Sequence, residues 1–325
     1  MASTKRSDGK GKPPASKGTP VWQFLQLEEW IKEVLMLELV DGNSQRALEF
    51  NCGKGYAQGK WARASIGVVV CFDPQAENIS RAKWRWVKRG EPYPSVFLQH
   101  SLFFHREDTD VEATLHGMLK DLRTRHGEGR YPGWSEQAVK AIGTANSKYQ
   151  LVASFHGLDD AFMSQATAEA AVSAVSTRLQ IGGYFFGCIP DSSTIWYRGQ
   201  KGDMHSRELK SFSDKLFKVN FDRVPDDADS VFGHRFSIKY ADGQVKNHVL
   251  VHIPTFIKLC HKVGLQVIAI DNYRTFYDAH KFPFRHRLLE MGVIMDKNKK
   301  ILDDQMKLAD LYTTFLFQRI PLPLS

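Results

Sequence analysis

The chain has 325 residues, 42% hydrophobic and 25% charged, with a formal net charge of +8. These values exclude a fibrous or wholly disordered chain and allow one large α/β domain or two small ones; the charge favours an anionic partner, nucleic acid or an acidic membrane. No run of about 18 apolar residues occurs, so no spanning helix is expected, and Cys52, Cys71, Cys188 and Cys260 form no CxxC pair of the kind that holds zinc or frames a disulfide scaffold.

In chain order, residues 1–18 (MASTKRSDGKGKPPASKG) contain one acid, Asp8, and too little apolar surface to offset ordering, so a disordered basic tail is expected. The polar start lacks a secretory apolar core, and a reduced, intracellular protein is expected. A single domain is expected over 19–325. Trp22, Leu25, Trp30, Val34 and Leu37 recur at helical spacing behind Pro20. Short β-rich runs follow at 46–50, 66–72, 96–99, 150–155 and 184–189, separated by helical patterns at 75–88 and in SQATAEAAVSAVSTRLQ, which Gly182-Gly183 ends. This alternation predicts an α/β fold with a doubly wound, mostly parallel sheet.

Residues 106–148 are charged and broken by RHGEGRYPGW, and they read as a surface insertion. Residues 212–250 alternate at strand period around Asp242-Gly243, predicting an inserted antiparallel flap. PTFIKLCHKVG then predicts a helix, LQVIAI a strand and LYTTFLFQR a last strand.

The stretch ALEFNCGKGYAQGKW carries the chemistry. It lacks the GxxxxGK[ST] of a P-loop, and glycines at 53, 55 and 59 behind Asn51 fit GxGxxG poorly, so pyrophosphate is not its best ligand. Asp73 ends the next predicted strand, where a carboxylate can accept both hydroxyls of an adenosine ribose. Glu49 before the glycines suits a cationic group, and the sulfonium and ammonium of S-adenosylmethionine supply one.

EFNCGKGYAQGKW resembles the acid–glycine loop and Lys-Trp pair of the mRNA cap guanine-N7 methyltransferases. EEWIKEVL, GGYFFGCIPDSS, FSDKLFKVNF, IPTFIKLCHKVGLQVI and LYTTFLFQR resemble further segments of that family in the same order, from Trp22 to Arg319. The resemblance implies a seven-stranded methyltransferase sheet with a flap over the cap, and methyl transfer from S-adenosylmethionine to N7 of the guanine of GpppN-RNA. Carried across by position, it implies that Lys32, Glu49, Asn51, Gly53, Asp73, His100 and Phe155 line the cofactor site. Lys54, Lys60, Arg85, Asp159, Thr255 and Tyr312 would meet the cap, with Lys and Arg as partners for its triphosphate.

Several positions depart from the family pattern. Asn51 replaces a glycine and tolerates a left-handed backbone. His100 replaces an acid, Phe155 a polar residue, and Thr255 falls where the family reads guanine with a glutamate; Asp159 or Asp160 would have to substitute. The resemblance also implies the nucleus and a capping guanylyltransferase partner, although a cytoplasmic enzyme would carry the same sequence, and a monomer is the default expectation. A non-catalytic binding subunit on the same fold, or a methyltransferase for another RNA, stays open on the residues alone.

Overall fold

The first helix, α1 (Trp22–Leu39), turns Phe24, Leu27, Ile31 and Val34 inward, the i, i+3, i+7 pattern of an amphipathic helix. In the computed structural model the described residues are 18–101, 109–144, 146–200, 209–222, 230–294 and 300–322, so nearly all of the expected basic tail lies outside them. After α1 come β1 (Arg46–Phe50), α2 (Gln58–Arg63), β2 (Val68–Asp73), α3 (Ala76–Lys88), β3 (Ser95–Gln99), α4 (Thr109–Gly127), α5 (Glu136–Ala141) and β4 (Tyr149–Ser154). A short 3-10 turn (Asp159–Met163) leads to α6 (Gln165–Arg178), β5 (Leu179–Pro190) and α7 (Ser192–Gly199). Then follow β6 (Phe212–Asp214), β7 (Phe217–Phe221), β8 (Arg235–Tyr240), β9 (Val245–Val249), α8 (Ile253–Lys262) and β10 (Leu265–Asn272). The chain closes with α9 (Tyr273–His280), α10 (Arg285–Glu290), α11 (Asp303–Ala309) and β11 (Tyr312–Arg319).

Seven strands form the main sheet in the order β10-β11-β5-β4-β1-β2-β3. Neighbours from β5 through β3 are parallel, and β11 runs antiparallel to both β5 and β10. Every residue of β1 and β2 is buried, as a parallel strand covered on both faces requires. The order reverses between β1 and β4, so the crevice beyond their C-terminal ends is the natural ligand site. A second, antiparallel sheet runs β6-β7-β8-β9, with Asp242-Gly243 turning β8 into β9 and Gly243 at φ 86°.

Within the interval 106–148, expected as a surface insertion, the described residues 109–144 and 146–148 carry α4 and α5 between β3 and β4. Val111, Leu115, Leu119 and Leu122 recur on one face of α4 and are buried, so this helix packs into the core despite its charge. Among the described residues no helix is long and apolar enough to cross a membrane, and no cluster of three His, Cys, Asp or Glu side chains could hold a metal ion.

Candidate active site

The glycine loop follows β1 because its backbone must turn left-handed three times, at Asn51 (φ 49°), Gly53 (φ 54°) and Gly55 (φ 75°). A side chain at Gly55 would meet the Ala82 backbone at 2.5 Å, so that glycine lets the loop close onto α3. Nothing lies within 4 Å of the space above Gly53, which leaves that part of the loop open to a ligand. Asp73 at the end of β2 ties the loop down: Oδ2 accepts from Gly53 N at 2.9 Å, and Oδ1 from Gln75 N and Asn78 Nδ2, each at 2.9 Å. A carboxylate has about four acceptor sites, so one remains on Oδ2 for a ribose hydroxyl. An open glycine cradle with a strand-end carboxylate fits S-adenosylmethionine.

Glu49 sits beneath the loop, 2% exposed, and accepts from Trp61 Nε1 at 2.7 Å. Burial pushes its carboxyl up to about 7, against the Trp61 hydrogen bond and nearby Lys60 and Lys32. A carboxyl whose pKa is raised by folding lowers stability as pH rises from its ordinary 4.5 to about 7, and the loss is constant above that. Glu49→Gln, which keeps an acceptor for Trp61, is therefore expected to stabilise the ligand-free protein at pH 8 by about 3 kcal/mol. The gain should vanish near pH 4.5; urea denaturation at both pH values reads it, and an equal gain at both would contradict the account.

Lys32 lies 3% exposed on α1. Its Nζ is 3.2 Å from Glu28 Oε1, 3.1 Å from Glu29 Oε1 and 3.2 Å from His156 Nε2. Burial alone would lower its pKa, but Glu28 and Glu29 hold it above the ordinary lysine value. Burial would likewise raise Glu28, yet Lys246 of β9, at 3.7 Å, and Lys32 hold that carboxyl well below its usual range. At His156, loss of hydration and the Lys32 ammonium push the imidazole down to about 3, so it is neutral at physiological pH.

Glu28, His156 and Lys246 border a cavity of about 260 Å³ beyond the C-terminal ends of β4 and β5. The second sheet roofs it: Asp159 Oδ2 lies 2.9 Å from His248 Nδ1 and accepts from Val249 N at 3.3 Å, fastening β9 over the loop after β4. Phe155, Asp160, Lys246, Asn247, Tyr273 and Tyr312 complete its wall. Burial, and then the neighbouring Asp159, push the Asp160 carboxyl above its ordinary value. Tyr312 is buried, its hydroxyl on that of Tyr240.

The structure thus brings Phe155, Asp159 and Tyr312 into one cavity, with Lys32 behind its Glu28 and His156 wall. Asn51 reaches it through the loop after β4, where a side chain at Gly157 would meet Asn51 Nδ2 at 2.6 Å. His100 follows β3 beside the ribose-side carboxylate, its N–H donating to the Asp73 carbonyl at 2.9 Å. Lys54 pairs with Glu77 at 3.5 Å and Arg85 stacks on Tyr56 at 4.2 Å, both on the far side of the glycine loop. Four of the six expected cap residues, Lys54, Lys60, Arg85 and Thr255, do not line the cavity. Lys60 is 4% exposed and held by Glu29 and the Tyr56 carbonyl, tying α2 to α1. Thr255 lies on the first turn of α8 with its hydroxyl 2.8 Å from His252 Nδ1. Sequence reasoning missed Glu28, Lys246 and His248. Glu28 stands one helical turn before Lys32, and 246 and 248 share one face of a strand, which are the signals that could have found them.

The model of the family described as mRNA (guanine-N(7))-methyltransferase domain matches residues 8–320. The mRNA cap guanine-N(7) methyltransferase 2 of Oryza sativa subsp. japonica is 28% identical over 82% of this chain and 72% of its own. The protein of that name from Arabidopsis thaliana is 28% identical over 83% and 70%. Among solved structures, the CcbJ methyltransferase from Streptomyces caelestis aligns with a TM-score of 0.50 at 9% identity, covering 95% of this chain and 94% of that one, a likeness of fold.

Proposed function

The chain belongs to the mRNA cap guanine-N7 methyltransferase family, and from that premise we propose how its cavity and glycine loop divide the work between cap and cofactor. The protein is an S-adenosylmethionine-dependent enzyme that methylates the cap guanine at N7. The observation that carries our reading of the site is the cavity itself, which is roofed by β9 and meets the glycine loop where Gly157 of its wall approaches Asn51. When bound, S-adenosylmethionine supplies a methyl group on a sulfonium, which N7 takes by in-line displacement, the carbon–sulfur bond breaking as the carbon–nitrogen bond forms.

Guanine N7 has a lone pair and no proton to lose, so no residue needs to act as a base. The residues orient and tune charge. Lys32, Glu49, Asn51, Gly53, Asp73, His100 and Phe155 serve the cofactor side, with Asp73 toward the ribose. Tyr312 and Phe155 offer aromatic faces to the purine, and Lys54 and Arg85 await the triphosphate. Asp159 is engaged by His248 and Val249. Asp160 is therefore the carboxylate that meets the two N–H donors of the guanine edge. The further reading is of a protein that works on GpppN ends in the nucleus, beside a capping guanylyltransferase, as the family resemblance suggests, with a monomer as the default.

Labelled methyl from S-adenosylmethionine is expected on N7 of GpppA. Asp160→Asn should raise the KM for GpppA about tenfold, the value of one charge-assisted hydrogen bond, since the amide keeps one acceptor oxygen, and leave cofactor affinity unchanged. An unchanged KM, or an equal loss of cofactor binding, would remove Asp160 from the guanine site.

A further inference from the structure

The outer face of α3 has no part in the site described so far. Ala82 and Trp86 are buried against the sheet, with Ile79 beside them. The opposite stripe presents Glu77, Arg81, Trp84 and Lys88 at i, i+4, i+7 and i+11. The helix holds four cations, Arg81, Lys83, Arg85 and Lys88, against the single acid Glu77. Trp84 is 51% exposed, with Lys88 Nζ 4.9 Å from its ring centre.

Both ends of this stripe lead somewhere. At the first turn Glu77 pairs with Lys54, so the helix begins beside a residue proposed to meet the cap triphosphate, and Arg85 in the last turn lies over Tyr56 of the glycine loop. At the foot, Val87 belongs to a groove of about 580 Å³ that also holds Arg125, Arg130 and the stacked pair Tyr131–Trp134, ring centres 4.0 Å apart. Thirteen residues at 1.5 Å each make a ribbon of roughly 20 Å between them.

An exposed indole flanked by cations is the arrangement that binds single strands without regard to sequence: bases stack on the ring and phosphates meet Lys and Arg. We infer that the face of α3 and the groove at its foot bind the single-stranded RNA that follows the cap. This rests on the reading of GpppN-RNA as substrate. The exposed indole, a platform for stacking bases, and continuity with Lys54 at the first turn favour RNA over an acidic protein or an anionic membrane.

The test compares GpppA with an unstructured RNA of about 20 nucleotides ending in GpppA, on wild type, Trp84→Ala and the double variant Arg81→Glu/Lys88→Glu. Wild type is expected to use the RNA with a KM about tenfold below that for GpppA, the value of one stacked base or more. Each variant should lose most of that advantage while GpppA kinetics stay unchanged. Loss of two phosphate contacts should also reduce the salt dependence of log KM for RNA by about 1.4. Equal KM values for RNA and GpppA in the wild type, or equal effects of the variants on both, would overturn the inference. So would variants that lose binding to phosphatidylserine vesicles but keep the RNA advantage, which would mark a membrane surface. Anisotropy with a fluorescent uncapped RNA separates this inference from its premise. If wild type fails to methylate GpppA but the variants still weaken RNA binding, the RNA face stands and the cap reading falls.

Discussion

Lys32→Met is expected to destabilise the protein by about 3–5 kcal/mol at pH 7, the cost of leaving buried charge unpaired. Lys32 is the cation between Glu28 and Glu29, and all three lie close enough on α1 to fail together. Burial would raise both carboxyls, but Lys246 and Lys32 hold Glu28 low, and Lys32 and Lys60 hold Glu29 down at about 2. Carboxyls lowered by folding confer stability that is complete above about pH 4.5 and lost as pH falls through the folded value. Removing Lys32 lets both rise, so the deficit of the variant should be full at pH 7 and narrow below pH 4.5. Urea denaturation at pH 7 and pH 4 measures this. A loss under about 1 kcal/mol, within the range of an ordinary surface substitution, would mean that Lys246 and Lys60 suffice without Lys32.

Asp73→Ala is expected to weaken S-adenosylmethionine binding about 100-fold, read by calorimetry, with fold and melting temperature changed far less. Two effects combine. The ribose loses a charged acceptor, at about 1.5–3 kcal/mol. The glycine loop also loses the Gly53 N–H anchor that shapes its open cradle, while Gln75 N and Asn78 lose their shared partner. Asp73→Asn keeps one acceptor oxygen and should fall between the two. Affinity within about fivefold of wild type for the alanine variant would move the ribose elsewhere, since one lost charge-assisted bond costs more than that.

Local chemistry made much of this fold legible in the sequence. The five parallel strands stand out because strands buried on both faces are mostly apolar, and in β1 and β2 only Arg46, Glu49 and Asp73 interrupt the run. Asp242-Gly243 announces the hairpin of the second sheet because few other residues take its left-handed turn. The glycine loop and Asp73 are readable because their task is set by backbone conformation and by position at a strand end. α4 was hidden: four buried positions among charged residues leave too faint a stripe to distinguish a crossover from an excursion.

The cavity itself belongs to tertiary structure. Asp159 meets His248 across 89 residues, and Lys246 of the second sheet reaches Glu28 on the first helix. No spacing rule links such positions, because their separation in the chain reflects only how many residues the crossovers need. The same holds for Lys60 and Thr255, whose charge and hydroxyl suit a cap in the sequence. In the fold, one is spent bracing α2 against α1 and the other on His252. The sequence determined which backbone turns and strand ends could receive a cofactor. Packing decided which polar groups were left to face the substrate, because buried charges pair first with whatever the fold brings within reach.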